Sequence, residues 1–240
     1  MKKNILIFGS NAALIRSAIQ MFIKKNFKVI GISKSNKNNF QKNKNYTHIK
    51  FNIEKGNILK ICKKIDKIMN VDSIIYAIGG SKGKNKLVYP IQEWKNLWWY
   101  NFGYSIEINN FFIEKMKKKK FGRILYFSTT AVNLKSGPAI YSSTKAALED
   151  YVKKTGRNYA DKNIYTNAIK TSIVSDKNNN WYKFENSKST KTKRKFLTSN
   201  LATGKFGRSE YFINLIDSMV TENNYFMTGS VVDIDGGSFL

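Results

Sequence analysis

Apolar and polar residues alternate along this chain in two rhythms. Short runs rich in Ile, Val, Leu, Phe and Tyr recur at 4–9 (NILIFG), 28–33 (KVIGIS), 47–53 (THIKFNI), 72–79 (DSIIYAIG), 122–128 (GRILYFS), 164–170 (IYTNAIK) and 229–235 (GSVVDID), and read as strands. Between the first two, Ile15, Ala18, Ile19, Phe22 and Ile23 keep the spacing of a helix covering a sheet. Longer helical patterns occupy 94–116 and 141–157. Strand-helix alternation predicts one α/β domain over 1–240, a doubly wound parallel sheet with helices on both faces. Such sheets bind ligands beyond the carboxyl ends of their strands, so chemistry is expected there. Residues 175–205 break the rhythm. They are polar, lysine-rich and weakly periodic, and predict a long loop acting as a substrate lid.

Composition narrows the functional classes. A single cysteine, Cys62, excludes an intrachain disulfide framework, and a single histidine, His48, excludes a His-rich metal site or a Ser-His-Asp triad within one chain. No metal site is expected. The first residues lack a signal-peptide pattern, and no run reaches the roughly 18 apolar residues of a membrane span, so a cytoplasmic protein without a membrane partner is expected. The formal net charge of +26 raises nucleic-acid binding. Yet the lysines are scattered, and they accompany abundant Asn, Ile, Tyr and Phe, as in an AT-rich coding sequence. The densest runs, 117–120 and 188–195, lack interleaved stacking aromatics. A milder use of the charge, attracting an acidic substrate or carrier protein, stays open.

Candidate chemistry lies in PAIYSSTKAALEDYVKK, residues 138–154. Helical spacing puts Tyr141 and Lys145 on one face, one turn apart. An ammonium beside a phenol lowers its pKa from about 10 and makes a general acid/base for a carbonyl or alcohol oxygen. Tyr46 and Lys50 repeat the spacing within a strand, where four residues span roughly 13 Å and the side chains cannot meet. Ser128 closes the strand at 122–128 and can hydrogen-bond a substrate oxygen. Asn101, in WKNLWWYNFGYSIEI, lies on a helix packed beside the same strand ends.

Asn101, then Ser128 thirteen residues before Tyr141, then Lys145: this order and spacing resembles the short-chain dehydrogenase/reductase family over almost the whole chain. MTGSVVDIDGG (227–237) resembles the family's C-terminal signature, and GKFGRSEY (204–211) the stretch before it. The resemblance implies a Rossmann-type fold and hydride exchange between a nicotinamide nucleotide and a carbonyl or alcohol. It implies that Tyr141 is the proton donor in reduction, that Lys145 lowers its pKa and binds the nicotinamide ribose, that Ser128 steadies the carbonyl, and that Asn101 holds a proton-relaying water.

The same resemblance assigns cofactor contacts to Gly9, Asn11, Leu14, Ile15, Ser33, Lys34, Asn52, Ile53, Ala77, Ile78, Gly79 and Val174, with Tyr141 and Lys145. Several depart from the family's residues. Its Gly-x3-Gly-x-Gly loop reads Gly9-Ser-Asn-Ala-Ala13-Leu-Ile15, and Ile15 stands where the backbone must approach a pyrophosphate. Its Asn-Asn-Ala-Gly reads Tyr76-Ala77-Ile78-Gly79, its Pro-Gly reads Thr171-Ser172, and Asp176 falls where a Thr often contacts the carboxamide. Asn52-Ile53 occupies the family's adenine contact. After the second strand Ser33 and Lys34 would present a 2′-phosphate with a cation and no carboxylate, which favours NADP(H) with NAD(H) possible.

Trp94 and Trp98 share one helical face and read as core or subunit interface, consistent with the dimers and tetramers of the family. The substrate is read as a small or carrier-bound carbonyl or alcohol, as for 3-oxoacyl-carrier-protein reductases. Two alternatives stay open: a sugar or nucleotide-sugar reductase, and a non-catalytic scaffold whose altered loop no longer binds a nucleotide.

Overall fold

The seven apolar runs form one parallel sheet in a computed structural model that describes residues 3–134, 137–177, 179–221 and 226–238. Its strands are β1 (Asn4–Phe8), β2 (Lys28–Ser33), β3 (Tyr46–Lys50), β4 (Ser73–Tyr76), β5 (Gly122–Thr129), β6 (Ile164–Thr171) and β7 (Val231–Ile234), in the order β3-β2-β1-β4-β5-β6-β7. Successive strand residues face opposite sides, so each strand feeds two cores. Leu6, Phe8, Ile30, Ile74, Tyr76, Ile124 and Tyr126 pack under α2 (Ile58–Ile68), α4 (Tyr104–Lys119) and α5 (Ala139–Asn158). Ile5, Ile7, Val29, Ile75, Leu125 and Phe127 pack under α1 (Arg16–Lys24) and, near the C-terminus, Ile216 and Met219 of a helix at Ile213–Val220. Burial of strands on both faces explains their near-continuous apolar runs.

One amide gathers three hydroxyls inside the first core. Asn109 accepts from the Tyr76 hydroxyl at 2.7 Å and donates to Tyr126 at 2.8 Å and Tyr151 at 3.0 Å. Tyr76 therefore belongs to the core and not to the ligand cleft.

Two elements differ from the sequence expectation. The predicted 94–116 helix begins as α3 (Ile91–Trp98) and is interrupted by a wide π turn at Trp99–Gly103 before α4. Asn101 Nδ2 donates to Leu97 O at 2.9 Å, taking the carbonyl that the α-helical ladder would give to the Asn101 N–H, and the turn widens there. Residues 175–205, predicted as a loop, contain α6 (Asn180–Ser187) and α7 (Thr190–Asn200); Asn178 lies outside the described residues. Asn179 caps α6 through Tyr182 N at 2.7 Å, and Ser189 caps α7 through Thr192 N at 3.2 Å. Trp181, Phe184 and Phe196 join Leu197, Leu201 and Phe206 in a small core of their own. These aromatics are too few per turn to give a periodic signal, yet together they exclude enough water to hold two short helices. The helix at Ile213–Val220 follows as α8.

Candidate active site

The sheet order reverses between β1 and β4, whose following segments pass to opposite faces. A crevice opens at that point, as it does in doubly wound sheets generally. It is a cleft of about 400 Å³ that runs from Asn11 and Leu14, past Ala77–Gly79, to Ser128, Tyr141, Lys145 and Val174. A second hollow of about 230 Å³ adjoins it, lined by Gly9, Asn11, Ser33, Lys34, Ile53 and Tyr100.

Gly9 makes the approach possible. It has φ +87°, and a Cβ there would stand 2.7 Å from the Ala77 carbonyl carbon. Its N–H and that of Ser10 both donate to Ile32 O, at 2.9 and 3.1 Å, turning the chain sharply off β1. One 3₁₀ turn, Ala13–Ile15, then enters α1, and Ala12 provides no side-chain cap. Gly9→Ala is expected to lower the melting temperature by about 5 °C, since a left-handed Ala overlapping Ala77 costs roughly 1–3 kcal/mol. A thermal scan checks this; an unchanged midpoint would mean that the loop yields freely.

Ile15 is fully buried in the core shared with Ile7, Ala18 and Phe212, and its side chain points away from the cleft. Any contact with a ligand would come from its backbone. Ala13, in place of the family's second glycine, lines the cleft without closing it.

The candidate proton-transfer residues come from two neighbouring elements. Ser128 sits near the end of β5, and Tyr141 and Lys145 project from the first turns of α5. Lys145 is 3% exposed, and its Nζ donates to Phe127 O at 2.7 Å. Burial pushes its pKa down to about 7, against the partial support of Glu149. Burial raises the Tyr141 phenol above its ordinary value, with a partial offset from the Thr129 hydroxyl. The expected lowering of Tyr141 by Lys145 is therefore not what this arrangement produces: desolvation is the largest influence on the phenol, and the Thr129 hydroxyl, not Lys145, gives the partial offset.

Ser128 is 2% exposed and donates its proton to Glu149 Oε1 at 2.6 Å; the other oxygen of Glu149 lies 3.2 Å from Lys170 Nζ. Asn101 does not line the cleft. It stands behind Gly79, donating to Gly80 O at 3.1 Å and accepting from Gly80 N at 2.8 Å. A Cβ on Gly79 would lie 3.1 Å from Asn101 Oδ1 and 3.3 Å from Lys145 Nζ, so both residues back the same short loop. Asn101 thus ties the loop after β4 to the π turn.

At the second hollow, Asn11 Nδ2 donates to Ser33 Oγ at 3.1 Å. Lys34 is not free of carboxylates, contrary to the sequence reading. Its Nζ lies 3.1 Å from Glu54 Oε2, and Lys82 holds the other oxygen. Burial alone would raise the Glu54 carboxyl, but hydrogen bonds from Lys82 and Lys34 bring it below its ordinary value. Asn52 lines the groove shared with Lys34 and Glu54.

At the opposite end, Thr171 Oγ1 is buried with no hydrogen-bond partner among the described residues, and Thr171 lines the cleft beside Val174 and Trp181. Val174 forms a parallel bridge with Gly207. Arg208 donates to Ser175 O at 3.2 Å and to Glu185 Oε2 at 2.9 Å, fastening α6 over this end. Asp176 pairs with Arg16 at 3.6 Å. The Asp235–Gly237 turn holds the end of α7 through Ala202 N–Gly237 O at 2.7 Å and Thr203 N–Gly236 O at 3.0 Å.

Tyr46 and Lys50 lie on β3 as predicted, with Tyr46 buried and its pKa pushed up to about 12. Sequence reading missed Glu149, Lys170, Glu54, Lys82 and Trp181. Only Glu149 carried a signal, since it follows Lys145 by four residues and shares its helical face. Among the described residues no group of three or more His, Cys, Asp or Glu could hold a metal, and no helix is long and apolar enough to cross a membrane.

The chain belongs to the short chain dehydrogenase family, a family of oxidoreductases, whose model matches residues 3–186. It is 25% identical to a 3-oxoacyl-(acyl-carrier-protein) reductase, FabG, of Buchnera aphidicola subsp. Schizaphis graminum, covering 100% of this chain and 98% of that protein. A second FabG, from Aquifex aeolicus, is 24% identical over 75% of this chain and 71% of its own. Among solved structures, YwfH, an NADPH-dependent reductase involved in bacilysin biosynthesis, superposes with a TM-score of 0.88 at 18% identity, covering 100% and 99% of the two chains. A 4-hydroxyisoleucine dehydrogenase mutant complexed with NADH and succinate gives 0.86 at 21% identity, covering 98% of each.

Proposed function

We propose that this oxidoreductase is an NADP(H)-preferring carbonyl reductase acting on a 3-oxoacyl group, with a carrier-bound thioester as the substrate class. The observation that carries the reading is the convergence of Ser128, Tyr141 and Lys145 on one cleft that continues into the hollow beside Lys34. The residues present fit a dinucleotide: Gly9 leaves a cradle no side chain can enter, the α1 entrance is uncapped, and Thr171 offers an unpartnered hydroxyl at the far end. With Ile15 turned into the core, the motive for a non-catalytic scaffold falls away.

When bound, the nicotinamide supplies the hydride. Tyr141 supplies the proton: burial keeps it as the neutral phenol at physiological pH, the form that donates to a developing alkoxide. Ser128 lines the cleft beside Tyr141, and its hydroxyl would steady the substrate oxygen by turning its proton from Glu149 to that oxygen. Lys145, backed by Phe127 O and lying beside Gly79, would bind a ribose and return protons to the phenol. Lys177 lines the cleft, and the exposed cations Lys191, Arg194 and Lys195 lie on α7, a surface suited to an acidic carrier. The curated FabG relatives support that substrate class. Trp98, 41% exposed, suits the subunit contact of a homodimer or homotetramer.

Titration with NADPH and with NADH, followed by quenching of Trp181 at the cleft and Trp99 beside Ile53, tests the cofactor reading. NADPH is expected to bind more tightly, and a 3-oxoacyl thioester to drive its oxidation. Binding of neither nucleotide below millimolar concentration would overturn the reading.

A further inference from the structure

We propose that Glu54 is a resident competitor for the 2′-phosphate of NADP(H), held on Lys34 and Lys82, and that its displacement sets the discrimination between NADPH and NADH. The inference rests on the nucleotide reading above and concerns residues that it leaves unused.

Three loops meet at this cluster. Lys34 follows β2, Glu54 follows β3, and Lys82 follows β4. The two lysines occupy the two carboxylate oxygens separately, Lys34 at 3.1 Å and Lys82 on the other. Lys82 also lies 3.6 Å above the ring of Tyr100. Tyr100 and Lys34 both line the hollow at the Ser33 end of the cleft, so the pair of cations borders the place where a ribose would sit. The side chains remain open to water, at 60% exposure for Lys34, 35% for Lys82 and 28% for Glu54, and their contacts are exchangeable.

The charge balance gives the sign. Two ammonium groups and one carboxylate leave a single net positive charge for a phosphate monoester carrying about −1.5 to −2. An incoming 2′-phosphate must share the lysines with Glu54 or push it aside. A 2′-hydroxyl meets no such conflict, because a carboxylate accepts a hydrogen bond from it. Glu54 therefore opposes NADPH and tolerates NADH, whereas Lys82 adds a second cation to the one the sequence places at Lys34. The preference becomes an adjustable difference between opposing groups.

Direct binding of NADPH and NADH to wild type, Glu54→Gln and Lys82→Gln, read by tryptophan quenching, tests this without turnover. Glu54→Gln is expected to tighten NADPH about fivefold, the screened repulsion of two anions sharing one cation pair, and to leave NADH unchanged or weaker. Lys82→Gln is expected to weaken NADPH about tenfold with NADH within about twofold. Thermal midpoints matching wild type establish that both variants fold. An NADPH/NADH ratio unchanged or shifted toward NADH in Glu54→Gln, or equal weakening of both nucleotides in Lys82→Gln, overturns the proposal. Wild type that binds neither nucleotide overturns the cofactor reading itself, and this proposal with it.

Discussion

Tyr141→Phe is expected to lower the rate of carbonyl reduction by at least about 100-fold while NADPH affinity stays within about twofold of wild type. The substitution removes one oxygen and keeps the ring that lines the cleft. Among the described residues, Tyr141 is the one tyrosine that lines the cleft. Tyr76, Tyr104 and Tyr126 are wholly buried in the core, and burial holds their hydroxyls well above the ordinary value. Tyr100 lies at the other hollow with Lys34. Steady-state kinetics should show the loss in kcat, since the phenol acts on charge that develops as the alkoxide forms. A variant with full turnover would remove the mechanism, whereas a variant that fails to bind NADPH would point to a structural role for the hydroxyl.

Lys145→Met should abolish turnover and, at the same time, stabilise the free protein at mildly acid pH. Folding buries this ammonium, and its pKa falls from 10.5 to about 7. The unfolded chain thus holds the proton more tightly than the folded one between those values, so wild-type stability rises with pH across that window. Below pH 7 the folded protein carries the buried charge and its full penalty. Methionine removes the charge and fills similar volume, at the cost of the hydrogen bond to Phe127 O, about 1 kcal/mol. The variant is expected to melt several degrees above wild type at pH 6. The gap should narrow by roughly 2 kcal/mol between pH 6 and pH 9. A less stable variant at pH 6, or a gap independent of pH, would show that Lys145 is not held as a desolvated cation. Coexisting loss of function and gain of stability is what a strained catalytic group predicts.

Much of this was legible from residue spacing. Short, near-continuous apolar runs placed all seven strands, because both sheet faces are buried. Tyr141 and Lys145 were separable from Tyr46 and Lys50 by the helix or strand around them. Ile15 presented a conflict that the apolar rhythm resolves. Aligned with a glycine motif it obstructs the cleft, but it also begins the stripe Ile15, Ala18, Ile19, Phe22, and the structure follows the stripe.

What stayed hidden depends on packing between distant elements. Ser128 meets Glu149 only because α5 lies against β5, and Lys170 joins them from β6. Glu54 and Lys82 are 28 residues apart on separate loops. The helices α6 and α7 rest on a cluster of aromatics that no single window of sequence contains. The pKa values of Tyr141 and Lys145 also escaped, since proximity is readable from spacing and desolvation is not.

Reduction of a 3-oxoacyl thioester with NADPH deuterated at the transferring position of the nicotinamide, with the product examined by mass spectrometry and NMR, tests the central claim most directly. Deuterium on the carbon that was the carbonyl in wild type, and at least about 100-fold slower accumulation of that labelled product with Tyr141→Phe, is the predicted result. Nucleotide bound in the cleft with no deuterium transferred to that thioester or to any small ketone would contradict it.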